Sequence, residues 1–114
     1  MQHSQVVVVL VTTSGTDESE RLARVLLDLK LIACANTVPA IRSLFRWEGR
    51  LEGSDESLLI MKTTGDALEH LAETVKRHHS YDVPEIIALP LAWGSPEYLS
   101  WVAGEVHGNG PAPD

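Results

Sequence analysis

The apolar patterns along this 114-residue chain run strand, helix, strand, strand, helix, strand, and that order predicts an α+β sandwich of the split βαβ kind, the ferredoxin-like fold. Two further observations agree with it. The second and fourth strand patterns carry internal prolines, Pro39 and Pro90, and in this topology those strands are the sheet edges, where a missing ladder donor is tolerated. Ser95 followed by Pro96 then opens an extra helix beyond the six elements.

Residues 6–11 are an unbroken apolar run, mostly β-branched, stopped by Thr12, Thr13, Ser14 and Gly15, which predicts a central strand covered on both faces. A helix follows. Thr16 or Asp17 caps it, Asp17 and Glu20 stand at capping-box spacing, and Leu22, Val25, Leu26 and Leu29 form one face, leaving Arg21, Arg24 and Asp28 to water. Residues 32–47 are rich in strand formers, with Pro39 marking an edge. Glu48, Gly49 and Arg50 turn the chain, and residues 58–61 read as a third strand buried on both sides. Residues 51–57 extend this hairpin as a ribbon, with Gly53 as a bulge or flexible point.

The second helix opens at Asp66, with Glu69 three residues on and Leu68, Leu71, Ala72 and Val75 as its apolar stripe. Lys76, Arg77, His78 and His79 finish it, complementing the negative end of the helix dipole. After Pro84, residues 86–91 form the fourth strand, and the last helix turns Leu99, Val102 and Val106 inward. Residues 1–107 read as one domain and residues 108–114 as a flexible tail.

Composition narrows the function classes. A chain of this length forms one domain and buries about two-thirds of its unfolded surface. The net charge of −7 disfavours nucleic acid as a partner and reads as a solvated acidic surface. Cys34 is the only cysteine, which excludes an intrachain disulfide and fits a reducing, cytoplasmic compartment. The run at residues 6–11 is too short for a membrane span, and no Lys or Arg precedes it. The chain carries no phosphate-loop, dinucleotide, zinc-protease or serine-hydrolase motif.

Several side chains could carry chemistry. His78 and His79 stand where imidazoles could ligate copper, nickel or zinc, but adjacent helical residues point about 100° apart, so both reach one ion only where the helix unwinds. The competing reading, preferred on sequence, is a set of helix-terminal cations with one imidazole hydrogen-bonded in a loop. Cys34 reads as a buried apolar thiol, or as one facing a shared cleft. Lys62 ends an apolar run and needs either solvent or a carboxylate such as Glu56 or Glu85. Tyr81 and Trp47 suit a subunit interface or the stacking of a small ligand. Met1, Gln2 and His3 offer a terminal amine, amide nitrogens and an imidazole that could surround copper(II) in a square plane, against chance placement of that histidine.

Cys34, Asn36, Pro39, Ser43, Trp47, Gly49, Glu56, Lys62 and Thr63, followed by His79, Tyr81, Pro84 and Glu85, resemble the pattern of the CutA divalent-cation-tolerance family, and the similarity runs over about residues 6–106. The resemblance implies a non-enzymatic homotrimer linked to copper or other divalent-metal tolerance, with a crevice between subunits lined by Cys34, Trp47, Lys62, Tyr81 and Glu85. It also implies a copper site at the paired-histidine position completed by a cysteine near the end of the first strand. Val11 stands at that position here, which removes the soft thiolate and leaves weak binding as the expectation. By fold analogy, the alternative is a PII-like sensor taking a nucleotide or metabolite between subunits. An enzyme using Lys62, Glu85 and His79 in acid–base steps ranks last, with no reaction to name.

Overall fold

The computed structural model describes residues 5–107. Its elements follow the predicted order: β1 (Val6–Thr13), α1 (Thr16–Asp28), β2 (Cys34–Trp47), β3 (Arg50–Thr64), α2 (Leu68–His78), β4 (Ile86–Pro90) and α3 (Pro96–Glu105). The strands form one antiparallel sheet in the order β2-β3-β1-β4, the ferredoxin-like arrangement, with Pro39 and Pro90 on its two edges. His3, and the tail expected at residues 108–114, lie outside the described residues.

One face of the sheet is dry. Val7, Val9 and Val11 of β1 and Leu59 and Met61 of β3 are fully buried against Leu22 and Leu26 of α1 and Leu71 and Val75 of α2. The expectation that β1 and residues 58–61 are covered on both faces is corrected by the alternation between them: Val8, Leu10, Leu58 and Ile60 remain half-exposed. Both crossover helices pack on the same side, as the βαβ hand requires, so among the described residues no helix lies over the middle of the opposite side. α3 closes only the end where Val102 buries Val6 and Ala33. On β4, Ile87 and Leu89 are 48% and 46% exposed. An apolar face left open over three strands marks an interaction surface.

The β2–β3 hairpin outruns the sheet. β1 reaches β3 only from Ser57 onward, so residues 50–56 pair with β2 alone as a free ribbon. Trp47 opposite Arg50 leaves a two-residue turn in which Glu48 and Gly49 have φ of 51° and 78°, the left-handed pair that a type I′ hairpin demands. Gly53 is not the bulge expected there, since it pairs in register with Leu44. The irregularity lies across the ladder in β2, between Val38 and Ile41, where Ala40 has φ 58°. Pro39 offers no donor, and the bulge carries the chain past it without breaking the hairpin.

Both helix starts differ in detail from the pattern. α1 begins after Gly15, and Glu18 instead of Glu20 reaches back, accepting from the backbone N–H and the hydroxyl of Ser14 at 2.9 Å each. Glu20 pairs with Arg24 on the exposed side. Before α2, Gly65–Ala67 form a 3-10 turn and the Asp66 carboxylate accepts a hydrogen bond from the Thr64 hydroxyl, so the α-helix starts two residues later than Asp66 suggested.

Candidate functional site

The loop after α2 is fixed by a buried carboxylate. Glu18, its side chain 3% exposed, accepts the Ser80 N–H at 2.6 Å and the Ser80 hydroxyl at 3.0 Å in addition to the two bonds from Ser14. Burial alone would push this carboxyl up, but the four hydrogen bonds outweigh it and hold the group down at about 2. The arrangement ties the start of α1 to the loop that leads into β4.

His79 caps this loop from inside. Its side chain is fully buried, Nδ1 accepts the Tyr81 N–H at 3.0 Å, and Nε2 lies 2.8 Å from the Thr12 carbonyl oxygen. An accepting Nδ1 puts the ring proton on Nε2, which donates to Thr12. Both nitrogens are therefore engaged. The neighbouring His78 is exposed at the end of α2 and shares no position with His79. The reading of one imidazole hydrogen-bonded in a loop describes this geometry; a paired copper site does not fit it, because a ligating nitrogen needs a free lone pair. Among the described residues no group of three His, Cys, Asp or Glu side chains converges to hold a metal ion.

Tyr81 stacks at a tilt on His79, centroids 4.7 Å apart, and donates its hydroxyl proton to Glu56 Oε2 at 2.8 Å. Burial, then the bond and the charge of Glu56, push the phenol up to about 12. This pair sits in a groove of about 810 Å³ between the base of the hairpin and residues 81–85. Trp47 and Phe45 supply an aromatic wall, Glu56, Asp82 and Glu85 supply carboxylates, and Arg42 sits at the rim, paired with Asp55 at 3.2 Å. By register, Thr12 and Glu56 belong to the uncovered face of the sheet, so the groove is continuous with that face.

Of the five residues assigned to a crevice, Trp47, Tyr81 and Glu85 meet in this groove. Cys34 and Lys62 do not. They stand opposite each other where β2 and β3 pair at the far end of the open face. Lys62 Nζ bonds the Asn36 side-chain oxygen, and Cys34 Sγ lies 3.6 Å from the Tyr98 hydroxyl. The thiol, half-buried and free, raises the Tyr98 phenol by its hydrogen bond, with burial adding to the effect. Of the two alternatives for Lys62, solvent or a carboxylate such as Glu56 or Glu85, the carboxylate is not met: Lys62 is half-exposed and bonds an amide, and six residues of extended chain, about 20 Å, separate it from Glu56. Sequence reasoning also missed Glu18, which looked like one more surface carboxylate, and Tyr98; only the pairing of distant segments reveals either.

The family model described as CutA1 divalent ion tolerance protein matches residues 7–105. A chloroplastic protein CutA from Arabidopsis thaliana is 46% identical over 96 residues, covering 84% of this chain and 53% of that protein, so the chain spans about half the length of this relative. The divalent-cation tolerance protein CutA of Thermus thermophilus is 44% identical over 95 residues, 83% of this chain and 92% of its own. The solved structure of a divalent cation tolerance protein from Thermus thermophilus superposes with a TM-score of 0.89 at 41% identity, covering 90% of this chain and all of that one. Fold, register and sequence converge, and the chain belongs to the CutA1 divalent ion tolerance family.

Proposed function

We propose that the protein acts in divalent-cation tolerance as a non-enzymatic homotrimer that binds a small ligand in crevices built by two protomers. The observation that carries this reading is the separation of the crevice residues into two clusters, Trp47–Tyr81–Glu85 and Cys34–Lys62, at opposite ends of one uncovered apolar face. Within a protomer they lie too far apart to share a ligand. Packing the open faces of neighbouring copies together would cover the apolar surface and bring the end of one face against the groove of the next, which suits closed cyclic assembly. The free ribbon, with Leu44 and Leu51 69% and 70% exposed, suits a contact that wraps a neighbour.

Copper enters this reading only as weak coordination by the exposed His78, because His79 has no nitrogen to offer. A cytoplasmic location is supported by the single free thiol at Cys34; no described helix is long and apolar enough to cross a membrane. The PII-like alternative, a nucleotide in the crevice, has the aromatic wall of Trp47 and Phe45 in its favour and three groove carboxylates against it.

Thermal unfolding with and without ligand separates these readings. A ligand taken up by the crevice raises the melting temperature of the wild type and of His78→Ala alike. Strong stabilisation by copper(II) that disappears in His78→Ala would overturn the assignment in favour of a direct metal site.

A further inference from the structure

Among the described residues Glu56 has no counter-ion. It is 8% exposed, its Oε2 is held by Tyr81, and none of the ion pairs among the described residues involves it. Oε1 receives no donor from the described residues and is left to the groove that Glu56 lines. A buried anion with half of its acceptor capacity unfilled is stabilised by a cation brought from outside. The groove is suited to one. Asp82 and Glu85 add negative charge, and Arg42, the one cationic side chain of the lining, faces Asp55. Trp47 and Phe45, 51% and 42% exposed, line the same groove.

These features choose between kinds of cation. A metal ion needs several oxygen or nitrogen ligands converging at short range, and the three carboxylates do not form such a group. An ammonium or guanidinium on an apolar or aromatic body needs one charged acceptor and a ring to lie against, for which the groove offers Glu56 and Phe45. We propose that the groove binds a small organic cation, its charged nitrogen on Glu56 Oε1 and its apolar body toward Phe45. This rests on reading the groove as a ligand site and names the chemistry of that ligand.

The test uses three probes that share a phenethyl body, on the full chain: phenethylamine, phenethyl alcohol and phenylpropionate, titrated by calorimetry and by tryptophan fluorescence. The amine is expected to bind saturably and the other two to bind at least about tenfold more weakly, the worth of one charge-assisted hydrogen bond. Glu56→Gln should weaken the amine by about tenfold, and Phe45→Leu, at an exposed hairpin position, by about threefold. Circular dichroism and sedimentation of each variant confirm that it is folded and assembled as the wild type. Phenylpropionate binding as tightly as the amine, or amine binding indifferent to Glu56→Gln, overturns the proposal. So does amine binding that emerges only in Lys62→Gln, since the counter-ion of Glu56 is then a neighbour's lysine. A wild-type trimer that ignores the amine sinks this inference alone, whereas a monomer that binds it sinks the assembly and keeps the cation.

Discussion

The Tyr81 hydroxyl donates to Glu56 Oε2 at 2.8 Å, and this one bond joins the loop after α2 to the base of the β2–β3 hairpin. The two residues stand 25 positions apart in sequence, one in the loop after α2 and the other on β3. The bond fixes both walls of the groove relative to each other, so the shape of the groove depends on the protonation of a phenol beside a carboxylate.

The first prediction concerns that phenol. Burial and Glu56 push Tyr81 up to about 12. In a Tyr98→Phe background, where Tyr81 is the remaining tyrosine, ultraviolet titration should show phenolate forming near that value. Adding Glu56→Gln removes the charge and should lower the midpoint toward the ordinary tyrosine value of about 10. An unchanged midpoint would mean that Glu56 does not hold the hydroxyl.

Acid unfolding should report Glu18. Its folded value is depressed from 4.5 to about 2, so the unfolded chain takes up a proton first and stability falls as pH drops through that window. The shift corresponds to about 3 kcal/mol, fully present above pH 4.5 and absent below about 2. Denaturant melts of Glu18→Gln should show a loss of that order at neutral pH and a flatter curve between these limits. Parallel curves for wild type and variant would contradict the assignment.

The two adjacent histidines should behave oppositely. His79→Ala removes a buried ring and two hydrogen bonds, for a loss of about 3 kcal/mol. His78→Ala, on an exposed helix end, should stay within about 0.5 kcal/mol of wild type. Urea melts of the two variants decide it, and similar losses from both would place His78 in a structural role that the geometry does not give it.

The hairpin turn offers a gain. Glu48 holds a left-handed backbone conformation at φ 51° before Gly49. Asparagine tolerates that region far better, and Asn-Gly is the preferred type I′ pair. Glu48→Asn should raise stability by about 0.5 kcal/mol in thermal melts; a loss would show that the turn type is misassigned.

The order of elements was legible in the sequence because each apolar stretch has a clear period: 3.6 across Leu22, Leu26, Leu71 and Val75, and proline at each sheet edge. The unbroken valines of β1 misled on one point. A continuous apolar run predicts burial on both faces, and here the protomer's own helices cover only one. Of the five crevice residues that the resemblance implied, three line one groove. Trp47, Tyr81 and Glu85 meet, whereas Lys62 and Cys34 lie elsewhere, because the reach of a side chain across strands depends on register, which composition does not carry. Glu18 and Glu56 look like any acidic residue until their burial is known.

The claim that the open sheet face is a subunit interface is tested most directly by equilibrium sedimentation at micromolar concentration. The wild type should sediment with three times the mass of one chain, and Ile87→Glu, which puts a charge on that face, should shift it toward one. A wild type that sediments as a single chain, with Val8, Leu10 and Ile60 left half in water, would contradict the account.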